Sequence, residues 1–102
     1  MTHRLYFARS ASATARRMGL ETLVMSAPNS TLLTLNEVAS LLWEAADGVT
    51  ALDHIVANTI CNRFDVELET ALLDAEVAVK NLAEKGVLEL SDYPIPKHES
   101  RL

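Results

Sequence analysis

The sequence is poor in the residues that build disulfides, metal sites and membrane spans. Among its 102 residues Cys61 is the only cysteine, which excludes an internal disulfide and a zinc site made of four cysteines. The longest uninterrupted apolar run, residues 5–8, is far shorter than the ~20 residues that a membrane-spanning helix needs. Only three glycines are present, and none belongs to a glycine-rich phosphate-binding loop. The sequence therefore predicts a protein with no cofactor, no metal and no membrane segment.

The start of the sequence also lacks the pattern of a secretory signal. Arg4 interrupts it, and the stretch that follows is too short and too polar for an apolar signal region. With a single cysteine in the chain, this predicts a cytoplasmic protein.

The overall composition is that of one soluble, packed domain. Apolar residues make up 49% of the chain and charged residues 23%, which excludes intrinsic disorder over most of its length. With only five aromatic residues, the core must be mainly aliphatic. A chain of 102 residues corresponds to a single domain.

Charge is distributed unevenly along the chain. Residues 1–17 have four arginines and no acid, whereas the remainder has five Lys and Arg against fourteen Asp and Glu. The Ser, Ala and Thr residues at 10–15 have no amphipathic period, and Pro94 and Pro96 interrupt the end of the chain. We expect a flexible basic arm over residues 1–12, a folded domain over residues 13–90 and a tail over residues 91–102.

The first part of the predicted domain has the pattern of β-strands. Segments rich in β-formers are separated by turn signals, of which Gly19 and the Ala-Pro-Asn-Ser stretch at 27–30 are the clearest. The predicted strands cover residues 16–18, 21–25 and 31–35. Because the connections are short, these strands should form an antiparallel sheet.

After residue 35 the apolar residues recur at helical spacing. Asn36, Thr50 and Asp65 are residue types that cap helix N-termini, and Gly48 and Gly86 are suited to helix ends. The predicted helices cover about residues 37–46, 51–64 and 67–85, and a last short strand covers residues 87–90. The expected fold is α+β, with a three-stranded antiparallel sheet followed by a three-helix bundle, similar to a winged helix-turn-helix.

No group of side chains has the spacing of a catalytic or metal-binding site. His54 and Cys61 share a helical face, but two turns of helix separate them by ~10 Å, beyond hydrogen-bond reach. Glu67 and Glu69 lie two residues apart on a helix and therefore face different directions. We expect no catalytic residues, no metal ligands and no enzymatic activity of the chain alone.

The similarity to a winged helix raises the alternative of a DNA-binding regulator. The last predicted helix would be the reading element, yet it has five acids and two lysines. Contacts to phosphates supply most of the free energy of DNA binding, and an acidic helix repels phosphates. The sequence therefore favours a protein with no nucleic-acid partner.

The last predicted helix has more apolar residues than one buried face requires. On a wheel of about 100° per residue that begins at Leu68, its core stripe consists of Leu72, Ala75, Val79 and Leu82. Leu73 and Val77 fall at about 140° and 180°, on the opposite face. Exposed aliphatic residues are common, but beside an unpaired strand edge this pair would form a groove for an extended peptide.

An ordered set of short segments runs through the predicted domain. It comprises Leu-Asn-Glu-Val-Ala at 35–39, Trp43, Asp47-Gly48, Ile55-Val56, Phe-Asp-Val at 64–66 and Leu-Ala-Glu-Lys-Gly-Val-Leu at 82–88. In this order, over roughly residues 16–90, the chain resembles the PqqD family, which includes the stand-alone RiPP recognition elements that bind ribosomally made precursor peptides. The resemblance implies a three-stranded sheet followed by three helices.

The resemblance also implies a function, that of a non-catalytic peptide chaperone. Family members bind the leader of a precursor peptide and present it to a modifying enzyme, which is a radical SAM enzyme in pyrroloquinoline quinone (PQQ) synthesis. Similar sequences occur in lasso-peptide and other peptide-modification pathways, so the pathway stays open here. The leader would add as a strand beside the third predicted strand and pack on the third helix.

Together with the far face of that helix, the resemblance gives a set of candidate peptide-binding residues. They are Thr31, Leu32, Leu33, Thr34, Leu72, Leu73, Glu76, Val77 and Lys80. The expected partners are a precursor leader peptide and a peptide-modifying enzyme. An unpaired strand edge would also allow a homodimer.

Overall fold

The computed structural model describes residues 4–26 and 31–95, and these residues form five strands and three helical rods. The strands are β1 (Tyr6–Arg9), β2 (Ala13–Met18), β3 (Glu21–Ser26), β4 (Thr31–Leu35) and β5 (Leu88–Ser91). The first rod is α1 (Glu37–Glu44), the second joins α2 (Leu52–Ile55), a π-helical stretch (Val56–Ile60) and α3 (Cys61–Phe64), and the third is α4 (Leu68–Glu84). The predicted α+β class is confirmed. The turn predicted at 27–30 lies outside the described residues, as do residues 1–3 of the predicted arm and 96–102 of the predicted tail.

The predicted three-stranded antiparallel sheet is confirmed, with the strand order β2-β3-β4. Met18 pairs with Glu21, so the connection between β2 and β3 has only two residues. Gly19 occupies the first of them with a φ of 67°, a left-handed conformation that is typical of tight hairpins and that favours glycine. One face of the sheet lies against the helices, where Val24 and Leu35 are buried.

The core lies between this sheet face and the three rods. As predicted, Asn36 caps α1, and its side-chain oxygen accepts a hydrogen bond of 2.9 Å from the N–H of Ala39. Trp43 is buried among aliphatic side chains. The core residues are Phe7, Val24, Leu35, Leu42, Trp43, Ala46, Leu52, Ile55, Val56, Ile60, Ala71, Ala75, Val79, Leu82, Val87 and Leu88.

The N-terminal segment differs from the prediction of a flexible arm. Tyr6–Arg9 forms β1, which pairs antiparallel with β5, and Phe7 between them is 0% exposed. The N–H of Gly48 donates to the carbonyl of Phe7 at 2.8 Å, which ties β1 to the loop after α1. The expectation of a loosely ordered segment is therefore wrong for residues 6–9. A four-residue strand whose partner lies some eighty residues away leaves no local periodicity by which the sequence could reveal it.

The starts of the last two rods also differ from the sequence prediction. Thr50 and Asp65 do not cap them: the second rod begins after Ala51, and Asp65 adopts a left-handed φ of 55° that ends α3. Leu68, the predicted origin of the core stripe, is 46% exposed. It is the first residue of α4 and projects beyond the core, whereas Ala71, one turn later, is buried.

Asp47 organises the loop between the first two rods. Its carboxylate accepts hydrogen bonds from the N–H groups of Val49 and Thr50 and from the hydroxyl of Thr50. Partial burial opposes ionisation, but the hydrogen bonds outweigh it and hold the pKa of Asp47 below its ordinary value of 3.8.

This shift predicts a pH-dependent contribution of Asp47 to stability. Because the pKa is lower in the folded state, the contribution is complete above 3.8 and is lost as the pH falls through the folded-state pKa. We expect Asp47→Asn to lower the melting temperature at neutral pH, and the gap from the wild type to close in strong acid. Thermal melts of both proteins across this range test the prediction, and a gap that does not change with pH would contradict it.

Candidate functional site

β4 is an edge strand of the three-stranded sheet. Its residues Thr31–Leu35 pair with β3 on one side, and no strand within residues 4–26 and 31–95 pairs with the other side. Alternate backbone N–H and C=O groups of an edge strand point away from its neighbour and are free to pair with an extended chain. The four candidate strand residues, Thr31, Leu32, Leu33 and Thr34, all lie on this strand.

The side chains of β4 alternate between two environments. Leu33 packs against the core and Leu35 belongs to it, whereas Leu32 is 58% exposed and Thr34 is exposed on the opposite face. The hydroxyl of Ser40 donates to the carbonyl of Leu35 at 3.2 Å and fixes the end of β4 against α1. An extended peptide beside β4 would likewise direct every second side chain toward the helical layer.

An open cavity of about 460 Å³ lies where the end of β4 meets the helices. It is bounded by the start of α1, by α3 and the residues after it, and by one face of α4. Its lining is mainly apolar, and Asp74 is the only charged residue among the described residues that form it. The lining residues are Asn36, Val38, Ala39, Ile60, Phe64, Val66, Thr70, Ala71, Asp74 and Ala78.

The face of α4 that lines the cavity adjoins the face predicted from the sequence. Thr70, Asp74 and Ala78 recur every four residues and so form one stripe along the helix. Leu73 and Val77 are 65% and 60% exposed, which confirms that they point away from the core. On the helical wheel Val77 lies only about 60° from Asp74. The exposed pair therefore continues the cavity face outward around the helix.

None of the nine candidate residues lines the cavity itself. The other three on α4 are placed differently: Leu72 and Glu76 are half-buried and Lys80 is exposed. The sequence prediction missed the cavity face because it placed the peptide on the side of α4 that carries Leu73 and Val77, together with the flanks of that side. The repeat of Thr70, Asp74 and Ala78 beside the core stripe was the signal that could have revealed it.

The surroundings of the cavity are acidic. Residues 65–79 include five acids and no Lys or Arg. The nearby guanidinium of Arg63 is already engaged, because its Nε lies 2.8 Å from a carboxylate oxygen of Glu37 on α1. This ion pair joins α3 to the start of α1 and leaves the negative charge of α4 without a cation from that side.

The described residues form neither a metal-binding group nor a membrane-spanning helix. Within residues 4–26 and 31–95, no group of three or more His, Cys, Asp or Glu side chains is arranged to hold a metal ion. His54 is exposed and Cys61 is half-buried on the second rod. Over the same residues, no helix has the length and apolar character that crossing a membrane requires.

Comparison with protein families gives a match over most of this fold. The model of the family described as "Coenzyme PQQ synthesis protein D (PqqD)" matches residues 21–88, from the start of β3 to the start of β5. The match contains β4 and every residue that lines the cavity. No curated protein matches the chain.

Comparison with solved structures gives a similar fold. The structure "TbiB1 in Complex with the TbiA(beta) Leader Peptide" superposes with a TM-score of 0.73 at 23% sequence identity. The alignment covers 80% of this chain and 94% of that one. The likeness therefore extends over nearly the whole length of the neighbouring protein.

Proposed function

Because this chain belongs to the PqqD family, we propose that it is a non-catalytic protein that binds the leader of a ribosomally made precursor peptide. The bound leader lies beside β4 and is presented to a separate peptide-modifying enzyme. In a PQQ-type pathway that enzyme is a radical SAM enzyme, and in a lasso-peptide or other pathway it is the corresponding modifying enzyme.

The observation that carries the proposal is the unpaired edge of β4 next to an apolar cavity. Strand addition uses the backbone groups of an edge for affinity and pockets for alternate side chains for specificity. Both are present here, and Asn36, the residue that directly follows β4, lines the cavity. The family match, and a neighbour of similar fold whose structure is a complex with a leader peptide, support the same role.

In this proposal the strand and helix residues have different tasks. Thr31–Leu35 supplies the backbone pairing, and the cavity accepts one apolar side chain of the leader. Leu73 and Val77 extend the apolar surface where the leader leaves the cavity, with Leu72, Glu76 and Lys80 on the adjoining surface of α4.

Two alternatives use the same elements. A regulator with a winged helix-turn-helix-like fold would place α4 against DNA, but the acids of residues 65–79 repel phosphates. A homodimer formed through β4 would occupy the edge that the leader needs. Raising the salt concentration distinguishes leader binding from DNA binding. The affinity for DNA falls steeply as salt rises, whereas the affinity of strand addition depends on salt far less.

Backbone N-methylation of the peptide tests strand addition. The probes are leader segments of candidate precursor peptides, found by screening short open reading frames near the gene for this chain, and each probe is methylated at one amide. We expect methylation to weaken binding at alternate positions over the paired segment, because only every second amide faces β4. Isothermal titration calorimetry measures the affinities.

Peptides methylated at the intervening amides, which point away from β4, serve as matched controls, since each methyl group adds the same bulk. Equal affinity for all methylated peptides would show that the leader does not pair as a strand. Loss of affinity at every position would indicate a helical or fully enclosed peptide instead.

A further inference from the structure

Asp74 occupies a distinctive place in the peptide-binding groove, which consists of the edge of β4 together with the cavity. It lies on the stripe of α4 that lines the cavity, between Thr70 and Ala78, and it is the only charged residue among the described lining residues. Its side chain is exposed, and within residues 4–26 and 31–95 no ion pair or hydrogen bond engages its carboxylate. A peptide in the groove would therefore cover a carboxylate that has no counter-charge among these residues.

The charge around Asp74 is strongly one-sided. Residues 65–79 have five acids and no lysine or arginine, and Arg63 is paired with Glu37. The exposed Lys80 that follows lies about 120° around the helix from Asp74, on a different side of α4. The start of α4 contributes only about half a positive charge from the helix dipole. A second acidic group brought by a ligand would be repelled, while a cation would gain a partner that the groove leaves open.

We infer that the peptide bound in this groove is cationic and places a Lys or Arg side chain against Asp74. The inference rests on the proposed function and specifies its ligand. In an extended chain, side chains on one face recur every ~6.6–6.8 Å, which is close to the ~6 Å rise from Asp74 to Ala78 along α4. When an apolar side chain of the peptide contacts Ala78 in the cavity, a cationic side chain two positions away would therefore reach Asp74.

A randomised peptide library selected on the immobilised protein tests the inference without a known leader. Messenger RNA display of random twelve-residue peptides supplies the probes. We expect the selected peptides to share a bulky apolar residue with Lys or Arg two positions away. Changing that cation to Glu in a selected peptide should weaken binding about 5- to 30-fold. This loss is larger than that of an exposed ion pair and smaller than that of a buried charge-assisted hydrogen bond.

Charge reversal on the protein is the matching experiment. Asp74→Lys should reverse the preference, so that the Glu form of the same peptide binds more tightly than the Lys form. Glu84→Lys is the matched control, because it makes the same charge change on α4 ten residues away and lies outside the cavity lining. It should leave the preference unchanged, and circular dichroism verifies that both variants remain helical.

The outcomes separate this inference from the proposed function. The selected peptides could bind as strands but have an acidic or neutral residue two positions from the bulky apolar residue. That result would overturn the inference of a cationic ligand and leave leader binding intact. Equal effects of Asp74→Lys and Glu84→Lys would show that only the net charge matters, which also overturns a contact at Asp74. Failure to select any peptide would contradict the proposed function itself.

Discussion

Ala78→Trp should weaken leader binding about 10- to 150-fold while the protein stays folded. Ala78 lines the cavity of about 460 Å³, so a tryptophan there would occupy the space that the proposal gives to the leader's apolar side chain. Burying one such side chain contributes ~1.5–3 kcal/mol, which sets the expected loss. Calorimetric titration with the cognate leader measures it.

Glu84→Trp is the control for the bulk of the new side chain. Glu84 is exposed at the end of the same helix and lies outside the cavity lining. The Glu84→Trp variant should therefore bind the leader as tightly as the wild type does. The lower helix propensity of Trp costs less than ~1 kcal/mol. Because Ala78 is half-buried against the core, the larger side chain adds packing strain of ~1–3 kcal/mol, and circular dichroism verifies that the variant stays folded. A folded Ala78→Trp variant with wild-type affinity would show that the leader does not use this cavity.

Phe7→Ala should lower the free energy of unfolding by ~3–5 kcal/mol. The side chain of Phe7 is 0% exposed in a core that has few other aromatic residues, so its removal leaves a large cavity. At about 4–8 °C per kcal/mol for a domain of this size, the melting temperature should fall by about 12 °C or more. Urea denaturation and thermal melts measure both quantities.

Arg9→Ala in the same strand is the matched control. Arg9 is exposed, and surface substitutions of this kind change stability by less than ~0.5 kcal/mol. If the N-terminal segment were the flexible arm predicted from the sequence, both variants would be as stable as the wild type. That result would contradict the pairing of β1 with β5.

Local sequence signals predicted the elements that local interactions specify. The bounds of β4 are those of the predicted strand, since β-formers are followed at once by Asn36, which caps α1. Gly86 follows α4 with a φ of 83°, as expected of a glycine that ends a helix. In each case the determining residues lie within a few positions of the element they define.

Features that depend on distant contacts were not predictable in the same way. β1 exists because β5 and the loop at Gly48 bind its backbone, and no nearby residue signals this. The π-helical stretch Val56–Ile60 continues the apolar spacing of its neighbours, so periodicity could not separate it from α-helix. Leu68 has the right angle on the wheel for the core but is the first residue of α4, where it stays 46% exposed.

The candidate site falls between these two cases. The strand half depends on β4, which the sequence defines, and the exposure of Leu73 and Val77 follows from the helical period. The cavity requires three elements to meet, and its lining combines Phe64, Asn36 and Ala78 from different rods and their flanks. Small residues such as Ala78 create that space, and their role is invisible until the elements that surround them are placed.

Amide hydrogen exchange of the free and leader-bound protein tests most directly whether the leader adds to β4. Binding should protect the amides of Thr31–Leu35 and the cavity face of α4, while β2, at the opposite edge of the same sheet, exchanges at its free rate. Protection of β2 or of β1 and β5, with β4 unchanged, would contradict leader binding at this edge.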